Sequence, residues 1–379
     1  MHTSFRPKNK LLHGPGPSNI APRVLHAMAK PTIGHMDPDF VEFMEDLKQM
    51  LKSLLQTNNR LTFPISGPGT VGMETCFVNL VEPGDRVVVC VNGVFGGRMV
   101  DMVKRIGGVP LVFNTTWGKP IDPIELSAFL EEQSNQGALT ILAFVHAETS
   151  TGALSDAEAI CKLGKQFNAL IIMDAVTSVA GVPVRMDEWG VDALYSGTQK
   201  CLSAPPGLSP ASFNEQALAK INIRKSPVQS WFMDLSLVQQ YWDQVGETAR
   251  TYHHTAPINS LYALHETLIM IEEEGLPALF QRHLRTASIL KNGLLELGFS
   301  YLVPDKSQMP QLHVVIPPND ILKQEASIRH RLLFEKNIEI GGGLGELAGK
   351  VWRIGLMGHS AREENVYQLL SAFNGIKRM

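Results

Sequence analysis

The sequence has few cysteines and lacks any long apolar run. Four of its 379 residues are cysteines, none in a Cys-x-x-Cys pair; they are Cys76, Cys90, Cys161 and Cys201. Scattered cysteines supply neither a zinc site nor a disulfide framework, and they are typical of a reducing compartment. No apolar run reaches the roughly 18 residues of a membrane span, and residues 1–10 contain no apolar leader core. We therefore predict a cytoplasmic protein without a membrane partner.

Excess positive charge is also missing. The 34 Lys and Arg residues stand against 37 Asp and Glu residues, so the formal net charge is −3. A dedicated nucleic-acid binder normally has a basic domain, and no nucleic-acid partner is expected. The adjacent His253 and His254 have no carboxylate within four residues, and neighbours on a strand point to opposite faces, so no metal site is predicted. With 44% hydrophobic and 19% charged residues, the composition suits a globular enzyme.

Among the features that are present, a lysine at the end of a buried strand is the most informative. The apolar segment 191–195 runs into Ser196-Gly-Thr-Gln-Lys200, and two prolines and a glycine within 201–207 then prevent regular structure. A second apolar segment, 169–174, ends in Asp174. Open α/β sheets bind ligands at the carboxyl ends of their strands. A lysine and an aspartate at two such ends indicate pyridoxal phosphate, with the carboxylate on the ring nitrogen and the amine in a Schiff base.

The order of elements predicts an α/β fold. Apolar strands alternate with amphipathic helices over residues 60–200, which is typical of a largely parallel sheet with helices on both faces. The carboxyl ends of such strands lie along one edge of the sheet. We therefore expect the turns at these residues to converge there: Ser66, Phe95, Thr149, Asp174 and Lys200.

The length of the chain suits two domains. Beyond residue 210 the pattern turns helical, and short strands near 312–316 and 351–354 indicate a smaller α+β domain. The glycine-rich segment 341–345 is predicted to be a hinge or loop. The predicted divisions are an N-terminal arm at 1–13, a large cofactor-binding domain at 14–265 and a small C-terminal domain at 266–379.

A glycine-rich turn at 67–72 allows two interpretations. It matches the G-x-G-x-x-G pattern of dinucleotide-binding proteins, which would make the protein an NAD-linked oxidoreductase. However, the preceding strand contains Pro64, and the next strand ends in Asn92 where that fold needs an acid. The pattern favours the second interpretation, a turn into a helix at about 70–80 whose free N–H groups bind one phosphate.

Four further residues each have a structural and a functional interpretation. Gly16 belongs to a Gly-Pro-rich turn, which is either a plain turn or a close backbone approach to substrate. His35 is either a solvated loop residue or part of a site. Phe95 either packs in the core or stacks on a planar cofactor. Arg353, inside an apolar strand, needs an anion, which is either a structural carboxylate or the carboxylate of a substrate.

Taken together, the motifs resemble those of the class V, fold-type I aminotransferases, in the group of alanine–glyoxylate and serine–glyoxylate (serine–pyruvate) enzymes. The resemblance extends from residues 11–19 to 353–357, and the matching segments are 65–69, 92–96, 148–152, 186–190, 195–200, 252–255 and 350–355. It implies a large domain whose mostly parallel, seven-stranded sheet lies between helices, and a smaller C-terminal α+β domain.

The resemblance also implies a role for each matching residue. Lys200 would bind the cofactor and move the proton, while Asp174 would keep the ring nitrogen protonated. The other cofactor-binding positions are Val176 and Phe95 against the ring, Thr149 near its phenolic oxygen, Pro68, Gly69, Thr70 and Gln199 at the phosphate, and Tyr252 and Thr255 from the second subunit of a homodimer. The substrate-binding positions are Arg353, Gly16 and His35.

The implied activity is a ping-pong transamination from a small amino acid, alanine or serine, to glyoxylate or pyruvate. Relatives that use another amine, of the pyridoxamine–pyruvate or 2-aminoethylphosphonate type, are the alternative, as is a non-catalytic protein that binds the cofactor. A cysteine desulfurase is disfavoured because no cysteine follows Cys201. Many family members have serine and histidine at the positions of Pro68 and Thr70, and the Gly34-His35-Met36 segment is closer to the alanine–glyoxylate type.

Overall fold

The computed structural model describes residues 2–242 and 250–377. Residues 1, 243–249, 378 and 379, which fall within the predicted arm and the two predicted domains, lie outside the described residues. In the described part of the chain, no helix is long and apolar enough to cross a membrane.

The strands of the described residues form three sheets. In chain order they are β1 (Leu11–His13), β2 (Leu61–Ser66), β3 (Arg86–Val91), β4 (Val109–Asn114), β5 (Ile141–Val145), β6 (Ala147–Glu148), β7 (Ala153–Leu154), β8 (Leu170–Asp174), β9 (Ala193–Tyr195), β10 (Leu208–Phe213), β11 (Ser300–Tyr301), β12 (Leu312–Ile316), β13 (Ile338–Gly342) and β14 (Trp352–Gly355).

The α-helices cover the faces of the two larger sheets. In chain order they are α1 (Pro22–Met28), α2 (Pro38–Leu55), α3 (Gly69–Leu80), α4 (Val94–Ile106), α5 (Pro123–Ser134), α6 (Ala157–Gln166), α7 (Met186–Trp189), α8 (Glu215–Asn222), α9 (Leu235–Trp242), α10 (Ile258–Glu274), α11 (Leu276–Glu296), α12 (Asn319–Leu322), α13 (Glu325–Glu335) and α14 (Glu363–Lys377).

The large sheet has seven strands in the order β2-β10-β9-β8-β5-β3-β4. Neighbouring strands from β9 to β4 pair in parallel, and β10 runs antiparallel to both β2 and β9. Parallel strands covered on both faces must be apolar throughout, and all five residues of β5 are buried. The predicted mostly parallel, seven-stranded α/β fold is confirmed.

Strand β10 is the one strand of the large sheet that the sequence analysis did not predict. Its residues Leu-Ser-Pro-Ala-Ser-Phe include two serines and a proline, yet all six are buried. The serine hydroxyls find internal partners: Ser209 Oγ donates to Ser196 O at 2.6 Å, and Ser212 Oγ lies 2.8 Å from Thr62 Oγ1. Because these hydroxyls have hydrogen-bond partners in or beside neighbouring strands, a polar segment can lie between two strands of the sheet at little cost.

The small sheet has the order β1-β13-β14-β12-β11. Its first strand comes from the predicted N-terminal arm and pairs in parallel with β13. Segment 341–345, predicted to be a hinge or loop, is partly strand, because Gly341 and Gly342 pair with Arg353 and Trp352. The prediction was wrong for these two glycines. A Cβ on Gly341 would lie 2.6 Å from Pro15 Cδ, so glycine there allows the N-terminal segment to pack on the sheet.

The two sheets have separate apolar cores. Helices α2, α3, α4 and α6 bury their apolar faces against the large sheet. Trp352 is at the centre of the small core and packs against Phe299 and Phe373. The bounds of the predicted domains remain a prediction.

The sequence pattern predicts a helix over residues 99–106, and α4 begins five residues earlier, because Gly96 and Gly97 obscure the helical pattern. The two glycines have different surroundings. A Cβ on Gly96 would lie 2.7 Å from Cys90 O and 3.0 Å from Val91 Cα, whereas a Cβ on Gly97 would have nothing within 4 Å. Gly96 therefore allows α4 to approach the backbone of β3.

We expect Gly96→Ala to destabilise the protein by about 1–3 kcal/mol, because a methyl group against backbone atoms forces α4 away from β3. The matched control is Gly97→Ala, which should stabilise it by about 0.5–1 kcal/mol because alanine is the better helix former. Urea unfolding of both variants measures the difference. Equal effects of the two substitutions would contradict the close contact.

Candidate active site

A cavity of about 210 Å³ opens at the carboxyl ends of the large-sheet strands. Phe95 follows β3, Thr149 follows β5, Asp174 ends β8, and Lys200 follows β9. The predicted site residues that line the cavity are Gly69, Thr70, Phe95, Thr149, Asp174, Val176, Gln199 and Lys200. Of the five strand-end turns expected to converge, those at Phe95, Thr149, Asp174 and Lys200 meet at the cavity, whereas Ser66 lies outside its lining.

Lys200 is held in place by the N-terminal segment. Its Nζ donates a hydrogen bond to Pro15 O, and the hydroxyl of Ser18 donates to Lys200 O at 2.7 Å. A Cβ on Gly16 would lie 2.8 Å from Lys200 Cδ and Nζ. The backbone at Gly16 therefore makes a close approach rather than a plain turn. The group that it approaches is the Lys200 side chain, and its predicted contact with a substrate stays a prediction.

The electrostatic environment makes Lys200 a weaker base than an ordinary lysine. Burial, together with the nearby charge of Arg353, lowers the pKa of its amine to about 8. Both effects disfavour the ammonium form. A substantial fraction of this amine is therefore neutral near neutral pH, which an ordinary lysine does not achieve.

Asp174 is 3% exposed. Its Oδ1 accepts a hydrogen bond from Val176 N and its Oδ2 accepts one from the Tyr195 hydroxyl, each at 2.8 Å. Burial raises the pKa of Asp174 to about 7, although both hydrogen bonds act in the opposite direction. The carboxylate would be stabilised by a cation placed against it in the cavity.

Arg353 reaches the site from β14 of the small sheet. It is 7% exposed; its Nε donates to Gly342 O at 2.7 Å, and its Nη1 donates to Thr149 O at 3.3 Å. Among residues 2–242 and 250–377, no carboxylate forms a salt bridge with it. Burial lowers the pKa of Arg353 to about 10, partly offset by Glu148. Since both described partners are neutral carbonyls, the guanidinium has capacity for an anion.

The first turn of α3 faces the cavity with Gly69 and Thr70. Pro68 is the N-cap residue, just outside the lining, and α3 has no side-chain cap. A Cβ on Gly69 would lie 2.9 Å from Val176 Cγ2, so glycine keeps the turn close to the cavity floor. Gln199, also in the lining, has a buried Oε1 that has no hydrogen-bond partner within residues 2–242 and 250–377. An uncapped helix start, an amine and a carboxylate suit an anionic, phosphorylated ring cofactor.

The start of α4 is capped by Glu148, the last residue of β6, and by Ser150 in the turn that follows. The Glu148 carboxylate accepts hydrogen bonds from Phe95 N at 3.1 Å and from Ser150 Oγ at 2.6 Å, and Ser150 Oγ accepts one from Val94 N at 2.9 Å. A Cβ on Gly93 would lie 2.4 Å from both Glu148 Cγ and Ser150 Oγ. This capping fixes Phe95 in the cavity wall.

Six predicted site residues lie outside the cavity lining: Pro68, Gly16 and Arg353, described above, and His35, Tyr252 and Thr255. Tyr252 and Thr255 are exposed, and the Tyr252 ring lies 5.2 Å from the ring of His35, which is also outside the lining. These residues form a surface group near Ser66, whose hydroxyl lies 2.9 Å from His254 Nε2. The predicted roles of Tyr252 and Thr255 require a second copy of the chain. The predicted role of His35 in substrate binding stays a prediction.

Sequence reasoning assigned no role to three residues at the site. Arg98 lines the cavity and lies 4.8 Å above the Phe95 ring; its position one turn after Phe95 could have indicated this. Glu148 and Tyr195 were named only within motifs. Their hydrogen bonds depend on loop geometry and strand register, which composition does not reveal.

A larger cleft of about 630 Å³ lies between α10, α11 and the start of α14. Two of its arginines, Arg282 and Arg285, are paired with Glu274 and Glu363. Burial raises the pKa of its cysteine, Cys201, to about 12, which makes the thiol unreactive. The chemistry therefore points to the smaller cavity, which holds Lys200, Asp174 and the adjacent Arg353.

Comparison with known proteins gives matches over almost the whole chain. The family model described as "Aminotransferase class-V" matches residues 11–362. Alanine–glyoxylate aminotransferase of Rattus norvegicus is 39% identical over 364 residues, which cover 96% of this chain and 86% of the relative. (S)-Ureidoglycine–glyoxylate transaminase of Bacillus subtilis is 35% identical, with 96% and 89% covered. The crystal structure of alanine–glyoxylate aminotransferase from Nostoc sp. superposes with a TM-score of 0.95 at 43% identity, covering 100% of this chain and 98% of that one.

We expect Asp174→Asn to stabilise the cofactor-free protein by at least about 1 kcal/mol above pH 7. The pKa of Asp174 rises from 3.8 to about 7 on folding, so its buried charge opposes folding above pH 7. This penalty decreases as the pH falls towards 3.8, where both states bind the proton. Urea unfolding across this pH range measures the effect.

The surface control is Asp37→Asn, which retains a side chain able to cap α2 and should change stability by less than about 0.5 kcal/mol. A loss of stability in Asp174→Asn above pH 7 would contradict the buried-charge interpretation.

Proposed function

The chain belongs to the class-V aminotransferase family, and we propose that it transfers the amino group of alanine, or of serine, to glyoxylate or pyruvate. The fold-type I architecture and the transaminase class are those that the sequence analysis predicted. The family implies pyridoxal phosphate as the cofactor. With alanine and glyoxylate, the products are pyruvate and glycine.

The observation that carries this proposal is that the buried guanidinium of Arg353 can still bind an anion. A buried guanidinium bonded only to carbonyl oxygens is costly unless an anion binds to it. Since Arg353 lies beside Lys200 and Thr149, a carboxylate bound to it would lie next to the amine. Amino acids and 2-oxo acids share this carboxylate, so one arginine serves both half-reactions of a ping-pong enzyme.

Several cavity residues fit the cofactor. Its phosphate suits the start of α3 at Gly69 and Thr70, with Pro68 before them and Gln199 beside them. Phe95 and Val176 suit the two faces of the ring, Thr149 suits its phenolic oxygen, and Asp174 suits its nitrogen. When bound, the cofactor supplies an electron sink that stabilises negative charge on the substrate α-carbon.

The residues of the chain supply proton transfer and orientation. Lys200, with its pKa lowered to about 8, takes a proton as a neutral amine and returns it, which typically contributes about 10²–10⁴-fold to the rate. Asp174 in its ionised form holds a protonated ring nitrogen. Arg353 orients the carboxylate of the substrate, and Gly16 closes the backbone over Lys200 without adding a side chain.

Other amine donors are the alternatives to alanine and serine. The Bacillus subtilis relative is named for (S)-ureidoglycine, and the pyridoxamine and 2-aminoethylphosphonate types were alternatives from the sequence. The small cavity of about 210 Å³ favours a small donor once the cofactor is present.

A donor and acceptor panel tests the function. Purified protein with pyridoxal phosphate is supplied with alanine, serine, pyridoxamine or 2-aminoethylphosphonate, each with glyoxylate or pyruvate, and the products are measured by mass spectrometry. We expect alanine or serine with glyoxylate to exceed the other donors by about tenfold or more, because only a short side chain fits beside Arg353. Turnover with neither alanine nor serine would contradict the proposal.

Two variants serve as controls in the same assay. Lys200→Ala should lose about 10²-fold or more in turnover, because no other amine replaces it. Arg353→Gln should keep cofactor binding but lose about 10–100-fold in kcat/KM, because a charge-assisted hydrogen bond to the carboxylate is gone. An unchanged kcat/KM would assign the carboxylate to another residue.

We also propose that two copies of the chain form a homodimer with shared sites. The support is a group of exposed aromatic side chains: Trp231 is 64% exposed and Tyr252 is 58% exposed, and the rings of Trp231 and Phe232 both contact His253. Thr255 is exposed on the same segment. In a dimer this surface would be buried, and Tyr252 and Thr255 would complete the phosphate site of the other chain.

Hybrid dimers test the shared site. Mixing Lys200→Ala chains with Tyr252→Ala chains should restore activity, because one site of each hybrid then has both residues intact. If Tyr252 served its own chain, both sites would be defective and mixing would restore nothing. Each variant alone, assayed at the same concentration, gives the baseline, and light scattering measures the oligomeric state.

The four cysteines are free thiols in buried positions. Unpaired cysteines are typical of reducing compartments, which supports the cytoplasm as the proposed location.

A further inference from the structure

We propose that Tyr195 is a positioning residue, whose hydroxyl orients the Asp174 carboxylate and maintains its charge. The inference rests on the proposed binding of pyridoxal phosphate, in which Asp174 holds the ring nitrogen. Tyr195 does not line the cavity, so it would act through the aspartate rather than on the cofactor.

The register of the sheet creates the contact. Asp174 and Tyr195 are directly paired residues of the parallel strands β8 and β9, so their side chains leave the sheet on the same face. The tyrosine hydroxyl donates to Asp174 Oδ2 at 2.8 Å, and Val176 N donates to Oδ1 at 2.8 Å. One donor on each oxygen fixes the plane of the carboxylate.

The tyrosine ring has no room to turn away. Tyr195 is fully buried at 0% exposure, and it packs beneath α3, where a Cβ on Gly72 would lie 3.1 Å from Tyr195 Cβ. Burial and the adjacent carboxylate raise the pKa of its phenol well above the ordinary value. The hydroxyl therefore remains a donor throughout the working pH range.

Other ionisable groups face Asp174 from the surrounding elements. Lys200, on the loop after β9, favours the ionised carboxylate, and Glu148, after β5, disfavours it. Cys76 on α3 is also close, but burial raises the pKa of its thiol so that it stays neutral. Among the described side chains, Tyr195 is thus the one that gives Asp174 a hydrogen bond.

The consequence of losing this bond has a definite sign. Burial raises the pKa of Asp174 to about 7, and the Tyr195 hydrogen bond lowers it. Removal of the hydroxyl therefore raises the pKa further, so the carboxylate takes up a proton at a higher pH. A protonated Asp174 loses its attraction for a protonated ring nitrogen, and cofactor affinity falls on the acid side.

The test is the pH dependence of cofactor affinity in Tyr195→Phe. Equilibrium dialysis of pyridoxal phosphate against the cofactor-free protein gives the Kd over a pH range that brackets 7. On the acid side of the profile, here called the acid limb, affinity falls as Asp174 takes up a proton. In Tyr195→Phe we expect the midpoint of this fall to move up by about one pH unit. Below the new midpoint, the Kd should therefore be up to about tenfold larger than that of the unsubstituted protein. The matched control is Tyr301→Phe, which removes a hydroxyl bonded to His313 Nδ1 at 3.1 Å, outside the cavity lining.

The outcomes separate this inference from the proposed function. An acid limb that does not move, or moves equally in Tyr301→Phe, would show that the hydroxyl has only a structural role. In an Asp174→Asn background, Tyr195→Phe should leave the profile unchanged, and a shift there would also overturn the inference. If the unsubstituted protein binds no cofactor at any pH, the proposed function fails and the inference fails with it.

A second substitution covers the case in which Tyr195→Phe does not fold. Replacement of Tyr195 by 3-fluorotyrosine keeps the ring and makes the phenol a stronger donor. The acid limb should then move down, and a shift upwards or no shift would contradict the role.

Discussion

The removal of water from Lys200 and Asp174 is the constraint on which the rest of the site depends. Burial brings their pKa values to about 8 and about 7, close to each other and to neutrality. Neither shift would occur in solvent, and each depends on surrounding elements that exclude water. The small sheet contributes the positive charge of Arg353, which is part of the lowered pKa of Lys200. The ionisation of the site therefore depends on elements of both sheets.

In the large sheet, groups that are far apart along the chain lie close together in space. Its parallel strands end at one edge, and each end presents a different group: the Phe95 wall, the Thr149 carbonyl, the Asp174 carboxylate and the Lys200 amine. Small residues keep these groups close, because Gly16, Gly69 and Gly93 leave no space for a Cβ. Other residues in the same turns would give a site with different chemistry on the same sheet.

The sequence was sufficient for those parts of the fold and site that depend on local pattern. Apolar runs that end in Asp174 or in the turn at Lys200 predicted two strand ends, and the alternation of strands and helices predicted the sheet. Strand β10 was missed because its serines are satisfied only by neighbouring strands. The strand pairing of Gly341 was missed because its partner Arg353 and the close packing of Pro15 that explains the glycine are both remote in the chain. Partnerships such as Tyr195 with Asp174 depend on register, and the positions of Tyr252, Thr255 and His35 relative to the cavity depend on tertiary geometry.

The N-terminal strand has a consequence for how the molecule matures. The His13 imidazole bonds to Gly355 O, 342 positions along the chain, and residues 15 and 16 then lie against Lys200. Because such distant contacts form slowly, the small sheet would close onto Lys200 late in folding. The lowered pKa of the amine, to which Arg353 of β14 contributes, would be complete only then.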